Sequence, residues 1–268
     1  MQAIGFVGGG NMAEAIIKGM ISAGLCKGGN IYVSDIRPER LDYLSKNYDV
    51  NTTTDNSELA DKVGIIVLSV KPQTMVQALE SIKTTVKDQL IISIAAGVTV
   101  ANIADVLGDV GIVRVMPNTP ALIGEGASAL FANDRAKGML KKAEAIFSAV
   151  GKAVTVDDEA LIDAVTAVSG SGPAYFFLLI EKMVEAAVEL GLPVDIAKEL
   201  VLQTAKGAGL LAVEADSKGE SPGQLRQKVT SPGGTTEAAL KVFAEGKFDN
   251  LVKAAIQTAC KRSKELSK

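Results

Sequence analysis

Residues 1–156 alternate short runs rich in β-branched residues with segments that have helical apolar spacing. Seven strands are predicted there, at Ala3–Val7, Ile31–Ser34, Val63–Val70, Leu90–Ile94, Gly111–Met116, Ser128–Phe131 and Ala153–Val156. The segment Val63–Val70 is apolar almost throughout, which is typical of a strand buried on both faces. Because strands that alternate with helices usually form a mostly parallel sheet with helices on both faces, this half is predicted to be α/β.

The β signal ends near residue 157, and the rest of the chain is predicted to be all-α. Helical apolar spacing is found in four segments, Glu159–Val168, Pro173–Leu190, Val194–Glu214 and Lys247–Leu266. A chain of 268 residues is long enough for two domains, which we place at 1–157 and 158–268. The helices of the second half are rich in Ala, Val and Leu, so a homodimer through this half is expected.

Composition excludes several classes of function. The chain has no histidine, which rules out an imidazole base, a histidine triad or a histidine metal ligand, and no metal site is predicted. A formal charge of −3 without a dense basic block argues against a nucleic-acid partner. Cys26 and Cys260 lie far apart in sequence and are expected to be reduced thiols. The start Met1-Gln2-Ala3 has no secretory pattern and the most apolar stretch, Ala174–Ile180, is short, so a cytoplasmic protein without a membrane helix is expected.

A glycine-rich element lies between the first strand and the helical segment Glu14–Ala23. It reads Gly8-Gly9-Gly10-Asn11-Met12-Ala13, which is a GxGxxA pattern at a strand-to-helix turn. Gly8 permits the tight turn, Gly10 lets a pyrophosphate approach the backbone, and Ala13 keeps the helix close to the strand. The element therefore predicts a dinucleotide site formed by residues 8–12, and the alternative is a glycine-rich turn without a ligand.

The second strand ends at Ser34-Asp35-Ile36-Arg37, where such folds bind the adenosine ribose. Asp35 can accept a hydrogen bond from the 2′-hydroxyl of NAD, whereas Ser34 and Arg37 can hold the 2′-phosphate of NADP. The alternative is a solvated cap for the helix that starts at Pro38. NADP(H) is favoured, and NAD(H) remains possible.

Two further turns, Ser69-Val70-Lys71-Pro72 and Ala95-Ala96-Gly97, follow strand ends on the same side and are predicted to line the cofactor. The strand Gly111–Met116 ends in Met116-Pro117-Asn118-Thr119-Pro120, which on its own is only a proline-rich turn. Asn118 is expected to face the nicotinamide end of the cleft. For Lys71, a surface lysine in front of a helix-starting proline is an equally good interpretation.

Two serine- and glycine-rich segments precede apolar helices in the second half, Ser169–Tyr175 and Ser231–Glu237. Each predicts a helix N-terminus with free N–H donors suited to a carboxylate, although ordinary helix caps have the same pattern. Together, after a dinucleotide-binding half, they suggest a small acid that is presented to a nicotinamide ring at the domain junction.

Several motifs in combination resemble those of the pyrroline-5-carboxylate reductase family nearly from end to end. They are Gly5–Met12, Val70–Pro72, Ala95–Thr99, Met116–Pro120, Leu161–Thr166, Ser169–Tyr175, Pro222–Leu225 and Thr230–Thr236. The resemblance implies an N-terminal Rossmann dinucleotide-binding domain, followed by an all-α helical substrate and dimerisation domain. It also implies an NAD(P)H-dependent reduction of pyrroline-5-carboxylate to proline, the last step of proline biosynthesis.

The same resemblance implies roles for individual residues of the last motif. It places Ser231, Gly233, Gly234 and Thr235 around the substrate carboxylate and makes Thr236 the catalytic residue that hydrogen-bonds the ring nitrogen. It also implies dimers through interleaved helical domains and larger rings of dimers. Many NADP-using members carry a polar residue directly followed by Arg, and the stretch that ends at Arg37 departs from this pattern.

Two other functions remain as alternatives. A β-hydroxyacid dehydrogenase-like reductase also joins a Rossmann domain to a helical one, but no lysine here has an asparagine four residues later, as that family requires. A non-catalytic dinucleotide sensor would bind the coenzyme without consuming it. Reduction of a cyclic imine fits the absence of histidine best, because a protonated C=N group is already electrophilic.

Overall fold

The computed structural model describes residues 2–267, which form two compact units. The first unit has two segments, the residues up to Pro173 and those from Thr258 onward. The second unit is Ala174–Gln257. Each unit is described separately below.

A single eight-stranded sheet forms the centre of the first unit. The strands are β1 Ile4–Val7, β2 Ile31–Ser34, β3 Asn51–Thr53, β4 Ile65–Leu68, β5 Leu90–Ser93, β6 Ile112–Met116, β7 Gly126–Ala132 and β8 Gly151–Thr155. Their order is β3-β2-β1-β4-β5-β6-β7-β8, and every neighbouring pair is parallel except β6 and β7. The mostly parallel sheet predicted from sequence is therefore confirmed.

The strand order reverses between β1 and β4: β2 and β3 lie on one side of β1, and β4 and the later strands lie on its other side. Ligands of open α/β sheets bind beyond the carboxyl ends of the strands at such a point. The turns after β1, β2, β4 and β5 all leave the same edge of the sheet, because these strands are parallel. The fold thus gathers the predicted cofactor turns at one edge.

Helices cover both faces of this sheet. They are α1 Asn11–Ser22, α2 Pro38–Tyr48, α3 Asn56–Lys62, α4 Met75–Ile82, α5 Val100–Leu107, α6 Leu140–Ser148 and α7 Leu161–Val165. Side chains of β4 alternate between two cores: Ile65 and Val67 pack with α1 and α6, whereas Ile66 and Leu68 pack with α3 and α4. A strand with both faces buried has no polar side, which explains its continuous apolar sequence.

Strand β3 was not predicted from the sequence. Its residues Asn51–Thr53 are polar and largely exposed, so they carry no hydrophobic signal. The strand is defined by its backbone pairing with Tyr32, Val33 and Ser34 of β2 at the edge of the sheet. A polar edge strand of three residues cannot be predicted from its own sequence, because only the pairing with a neighbouring strand defines it.

The remaining helices are α8 Gly172–Glu189, α9 Val194–Asp216, α10 Pro222–Lys228, α11 Thr235–Glu245 and α12 Phe248–Leu266. Every secondary-structure element of the fully described second unit, Ala174–Gln257, is an α-helix. This agrees with the prediction of an all-α second half. The long helices begin and end within a few residues of their predicted bounds.

The compact units divide at residue 173, whereas the predicted domain boundary follows the end of the strands at 157/158. Helix α7 remains with the first unit because it packs against β6 and β7. The end of α12 also belongs there: the Ser263 hydroxyl donates to Asp163 at 2.6 Å, and Leu266 packs against Gly97. The boundary between functional domains remains a prediction.

The helical run Leu161–Glu189 is long and apolar enough to cross a membrane when only length and composition are considered. It includes α7, a π-helical turn and α8, and so extends well beyond the apolar stretch Ala174–Ile180 that was noted in the sequence. One such helix is weak evidence for a membrane span, because apolar helices that pack against protein meet the same criteria.

Candidate active site

The glycine turn between β1 and α1 is shaped by close backbone contacts. Gly8 has a φ of +97°, and its N–H donates to the Ser34 carbonyl at 2.8 Å. A Cβ at Gly8 would lie 2.9 Å from the Ser69 carbonyl oxygen, so only glycine fits between the ends of β2 and β4. Gly10 precedes the first turn of α1, and no atom lies within 4 Å of the position of a Cβ there. The turn therefore leaves open space in front of a helix N-terminus, which fits a dinucleotide pyrophosphate.

Asp35 follows β2 and is tied to the glycine turn. One carboxylate oxygen accepts the Gly9 N–H at 2.9 Å, and both oxygens accept the Arg37 guanidinium, from Nε and Nη2, at 2.9 Å each. Burial alone raises the pKa of Asp35, but hydrogen bonds from Arg37 and from the Gly9 N–H outweigh it and hold the pKa below its ordinary value. An ionised Asp35 thus connects the end of β2 to both the loop and an exposed guanidinium.

Ser34 does not present its hydroxyl to the edge of the sheet. Its side chain is fully buried, and the hydroxyl donates to Asn56 Oδ1 at 2.6 Å. The expected contact between this hydroxyl and a 2′-phosphate does not fit this conformation, because the donor already has a partner inside the protein. Asn56, the first residue of α3, also donates to the Ser81 hydroxyl at 2.9 Å and was not singled out from the sequence.

The turn after β4 is held against the glycine turn through its backbone and one hydroxyl. The Ser69 N–H donates to the Val7 carbonyl at 2.9 Å, and the Ser69 hydroxyl donates to the Gly8 carbonyl at 2.5 Å. Val70 is half-buried, whereas Lys71 and Pro72 are exposed. The carbonyl of Lys71 accepts the Thr74 N–H at 3.0 Å in the short 3-10 turn that follows.

The turn after β5 contains Ala95, Ala96 and Gly97. Ala95 is buried and packs into the core beneath the turn, while Ala96 is half-buried. Gly97 has a φ of +74°, and the carbonyl oxygen of Leu266 lies 2.8 Å from where its Cβ would be. The C-terminal end of α12 thus supports this turn from within the same unit.

Asn118 is nearly buried, and its side chain connects three segments of the first unit. Its Oδ1 accepts the Ala127 N–H at 2.8 Å, and its Nδ2 donates to the Ser169 carbonyl at 3.1 Å. The side chain therefore holds the turn after β6 to the start of β7 and to the helical segment at Ser169. This anchoring fixes the amide in place. That Asn118 faces the nicotinamide end of the cleft remains a prediction.

Ser169–Tyr175 contains the start of α8 at Gly172, as the sequence predicts, but it is not preceded by an open loop. The chain is already helical from Leu161 and passes through a π-helical turn at Thr166–Gly170 before α8 begins. The Ser171 N–H donates to the Thr166 carbonyl at 2.8 Å and is not available to a carboxylate. Single π-turns occur often at functional sites, and here the turn presents the Ser169 carbonyl to Asn118.

The segment from Ser231 to Glu237 lies in the second unit and does form a helix N-terminus. Gly234 is the cap residue of α11, and Thr235 and Thr236 are its first two residues. The Gly233 N–H donates to the Glu237 carboxylate at 2.8 Å. The residues Thr230, Gly233, Gly234, Glu237, Ala238, Leu240 and Lys241 line an open concavity of about 630 Å³. The predicted substrate residues are therefore adjacent at a helix start.

A polar cluster behind the glycine turn was missed in the sequence. Arg40 of α2 contacts the carbonyls of Gly9 and Gly10 and the carboxylate of Glu14 in α1. Nothing in the local sequence distinguishes this arginine from a surface residue of an amphipathic helix, since its partners are 26 to 31 positions away.

Two family models match separate parts of the chain. Residues 159–266 match the family model described as pyrroline-5-carboxylate reductase dimerisation. Residues 3–97 match the one described as NADP oxidoreductase, coenzyme F420-dependent.

Individual relatives match over nearly the whole chain. A pyrroline-5-carboxylate reductase of Pseudomonas aeruginosa is 44% identical over 98% of this chain and 96% of its own length. The structure of a pyrroline-5-carboxylate reductase from Coxiella burnetii is 42% identical and superimposes with a TM-score of 0.93, over 100% of this chain and 99% of the other. A pyrroline carboxylate reductase of Plasmodium falciparum, solved with NADP bound, is 33% identical with a TM-score of 0.89, covering 100% and 98%.

Proposed function

The chain belongs to the pyrroline-5-carboxylate reductase family, and we propose that it reduces the cyclic imine of pyrroline-5-carboxylate to proline with a nicotinamide dinucleotide. The full-length likeness to enzymes of this name is the observation that carries the proposal. The open glycine turn in the first unit and the glycine- and threonine-rich helix start in the second support it.

In the first unit, the chain's own backbone would bind the coenzyme. The N–H groups at the start of α1 would hold the pyrophosphate, with Gly8, Gly9 and Gly10 shaping the turn and Asn11 and Met12 opening the helix. The turns after β4 and β5, residues 69–72 and 95–97, would line the same edge of the sheet. Asn118 would act by fixing the neighbouring turn.

In the second unit, residues 231–236 would bind the substrate carboxylate. The positive end of α11 and the N–H groups of Gly233 and Thr235 suit an anion, with the Ser231 hydroxyl nearby. The Gly234 N–H donates to the Ser231 carbonyl at 3.0 Å, so Gly234 would contribute by shaping the turn. Glu237 now accepts the Gly233 N–H, so its carboxylate must turn away when a substrate carboxylate binds there.

The proposed reaction needs little acid–base catalysis by the protein. A bound reduced nicotinamide supplies hydride to the ring carbon. The C=N bonding pair then moves to the nitrogen, and a ring nitrogen that is already protonated becomes the neutral amine of proline. The protein would orient the substrate, exclude water, and hydrogen-bond the ring nitrogen through the hydroxyl of Thr236.

We infer that NADP(H) is the preferred coenzyme and that NAD(H) is also accepted. Arg37 is about half exposed and can turn from Asp35 toward a 2′-phosphate, whereas Asp35 can accept a ribose hydroxyl. The coenzyme would contact Arg37 and the carboxylate of Asp35, while the Ser34 hydroxyl keeps its hydrogen bond to Asn56.

We further infer a cytoplasmic homodimer through the helical half, which can assemble into larger rings. The match of residues 159–266 to a dimerisation family supports this inference. Phe176 and Phe177 of α8 are 70% and 61% exposed in the single chain. Exposure of such large apolar side chains to water is unfavourable, and a second copy of the chain would cover them.

The test is the initial rate of NADPH or NADH oxidation by purified protein with pyrroline-5-carboxylate. We expect oxidation that depends on the imino acid and is faster with NADPH at equal concentrations. Coenzyme binding without oxidation would instead favour a dinucleotide sensor or a different imine substrate. Oxidation with a β-keto acid, and none with the imine, would favour the β-hydroxyacid dehydrogenase alternative.

A further inference from the structure

One side chain, Arg40 of α2, contacts the carbonyls of both Gly9 and Gly10 in the glycine turn. Its Nε donates to the Gly9 carbonyl at 2.5 Å, and its Nη2 donates to the Gly10 carbonyl at 3.3 Å and to Glu14 at 2.5 Å. The Arg40 and Glu14 side chains are only 16% and 19% exposed. A single guanidinium thus binds two successive loop carbonyls and a carboxylate on α1.

These contacts fix the direction of the loop's N–H groups. In a trans peptide the carbonyl and the following N–H point to opposite sides. A guanidinium on the Gly9 carbonyl therefore turns the Gly10 N–H away from α2. The Gly10 carbonyl accepts both Arg40 and the Glu14 N–H of α1, the latter at 3.0 Å, and these two contacts direct the Asn11 N–H away as well. Within residues 2–267 neither N–H has a hydrogen-bond acceptor, and the space beside Gly10 is open. The turn presents unpaired donors on the side opposite Arg40.

Arg40 also controls the charge beside those donors. Glu14 lies in the first turn of α1, where its negative charge would oppose a bound pyrophosphate. Burial alone raises the pKa of Glu14, but hydrogen bonds from Arg40, Tyr48 and Tyr43 outweigh it and keep the carboxyl ionised. The hydroxyls of Tyr48 and Tyr43 donate to the second oxygen at 2.8 and 3.1 Å. The carboxylate is thereby neutralised and held by three side chains.

We propose that Arg40 is a positioning residue for the coenzyme pyrophosphate: it orients the Gly10 and Asn11 N–H groups and neutralises Glu14 beside them. The proposal rests on the proposed function only in assuming that the glycine turn binds a dinucleotide. Arg40 acts from behind the loop, through the peptide groups it holds, and does not touch the coenzyme.

The test compares Arg40→Lys with Arg135→Lys in the full-length protein. Lysine keeps the charge but cannot bind two carbonyls and a carboxylate in one plane. Arg135 is a matched control, because it is exposed, donates to the Asp109 carbonyl at 3.0 Å and lies outside the site. The dissociation constant for NADPH is measured by fluorescence titration, and the KM values for NADPH and for the imino acid are measured separately.

We expect Arg40→Lys to weaken NADPH binding by roughly tenfold, since charge-assisted hydrogen bonds are lost. The KM for the imino acid at saturating coenzyme should stay unchanged, and Arg135→Lys should leave both constants unchanged. A folded Arg40→Lys protein with wild-type NADPH affinity would overturn the proposal, as would an equal rise in both KM values.

The variant Glu14→Gln provides a second test that works even if the lysine variant does not fold. It removes the anion and leaves the two contacts between Arg40 and the loop carbonyls, so NADPH should bind as tightly as to wild type or more tightly. Weaker binding by the folded variant would contradict the assigned role for the charge. Because binding is measured without turnover, wild-type protein that binds NADPH but does not reduce the imine would refute the proposed function and leave this inference standing.

Discussion

At the residue scale, the proposed chemistry depends most on a hydroxyl at the start of α11. Thr236 is the second residue of that helix, and its side chain is half-buried. The chain has no histidine, so the hydrogen bond to the ring nitrogen during hydride transfer must come from another polar group, and Thr236 is the one proposed. Its hydroxyl is therefore expected to stabilise the transition state more than the bound substrate.

Replacing Thr236 with alanine should lower kcat by about a hundredfold, which is the usual loss for one transition-state hydrogen bond. Thr236→Ser keeps the hydroxyl and should retain most of the activity. Steady-state kinetics of both variants with pyrroline-5-carboxylate make the comparison. Equal activity of the alanine and serine variants would remove Thr236 from the mechanism.

The ion pair of Asp35 and Arg37 should make folding stability depend on pH. The pKa of Asp35 lies below its ordinary value of 3.8 in the folded protein. A carboxyl whose pKa is lowered by folding contributes stability above its unfolded pKa and loses it as the pH falls through the folded value. The contribution is thus complete at neutral pH and disappears in acid.

We therefore expect Asp35→Asn to melt about 2–4 °C below wild type at neutral pH, with the difference shrinking as the pH falls below about 4. Asp109→Asn is the control, because that carboxylate is 80% exposed. Thermal melts across this pH range measure both variants. A difference between Asp35→Asn and wild type that is constant with pH would show that the charge of Asp35 is not responsible.

At the element scale, an ion pair between a buried arginine and a half-buried glutamate joins the sheet to the segment that leads into α7. Arg114 of β6 is 3% exposed, and its Nη1 donates to Glu159 at 2.8 Å. The same carboxylate oxygen accepts the N–H of Val100, the first residue of α5, also at 2.8 Å. Glu159 thus binds a strand and a helix start at once.

Glu159→Ala should lower the free energy of unfolding by about 3 kcal/mol, because it leaves a buried guanidinium without its partner. Glu159→Gln keeps an acceptor for both donors and should cost less. Urea unfolding measures both, with Glu125→Ala as a control at an exposed turn position. A loss no larger than that of the control would mean that water replaces the carboxylate.

At the scale of the whole molecule, helices of the second unit expose large apolar side chains that a partner chain would bury. Phe177 is 61% exposed on α8, and Leu178 and Leu210 are 55% and 57% exposed. Exposed apolar surface of this kind marks an interface. A second copy of the chain would cover it.

Phe177→Glu should weaken dimerisation by at least roughly a hundredfold, since each copy would lose a buried aromatic ring and gain a buried charge. Val76→Glu is the matched control, because Val76 is 64% exposed on α4 in the first unit. Sedimentation of the variants at several concentrations measures the change. A Phe177→Glu protein that remains as strongly associated as Val76→Glu would move the interface to another face.

The sequence alone determined the features that depend on local patterns. The glycine turn at residues 8–10, the buried strand β4 and the switch from strands to helices were predictable, because tight turns, buried strands and helices each have a periodicity or residue preference of their own. The combination of motifs, residues 230–236 among them, also resembled those of the family that the comparisons show.

Only the tertiary structure decided features that depend on distant partners. Edge strand β3 exists because β2 pairs with it, and the buried hydroxyl of Ser34 has its partner in Asn56, 22 positions away. A π-helical turn at Thr166–Gly170 leads from α7 to the start of α8, so the chain is already helical in front of the helix start that the sequence predicts there. Arg40 acquired its position because α2 packs next to the glycine turn. These features arise from contacts between residues far apart in the chain, whose geometry no local pattern encodes.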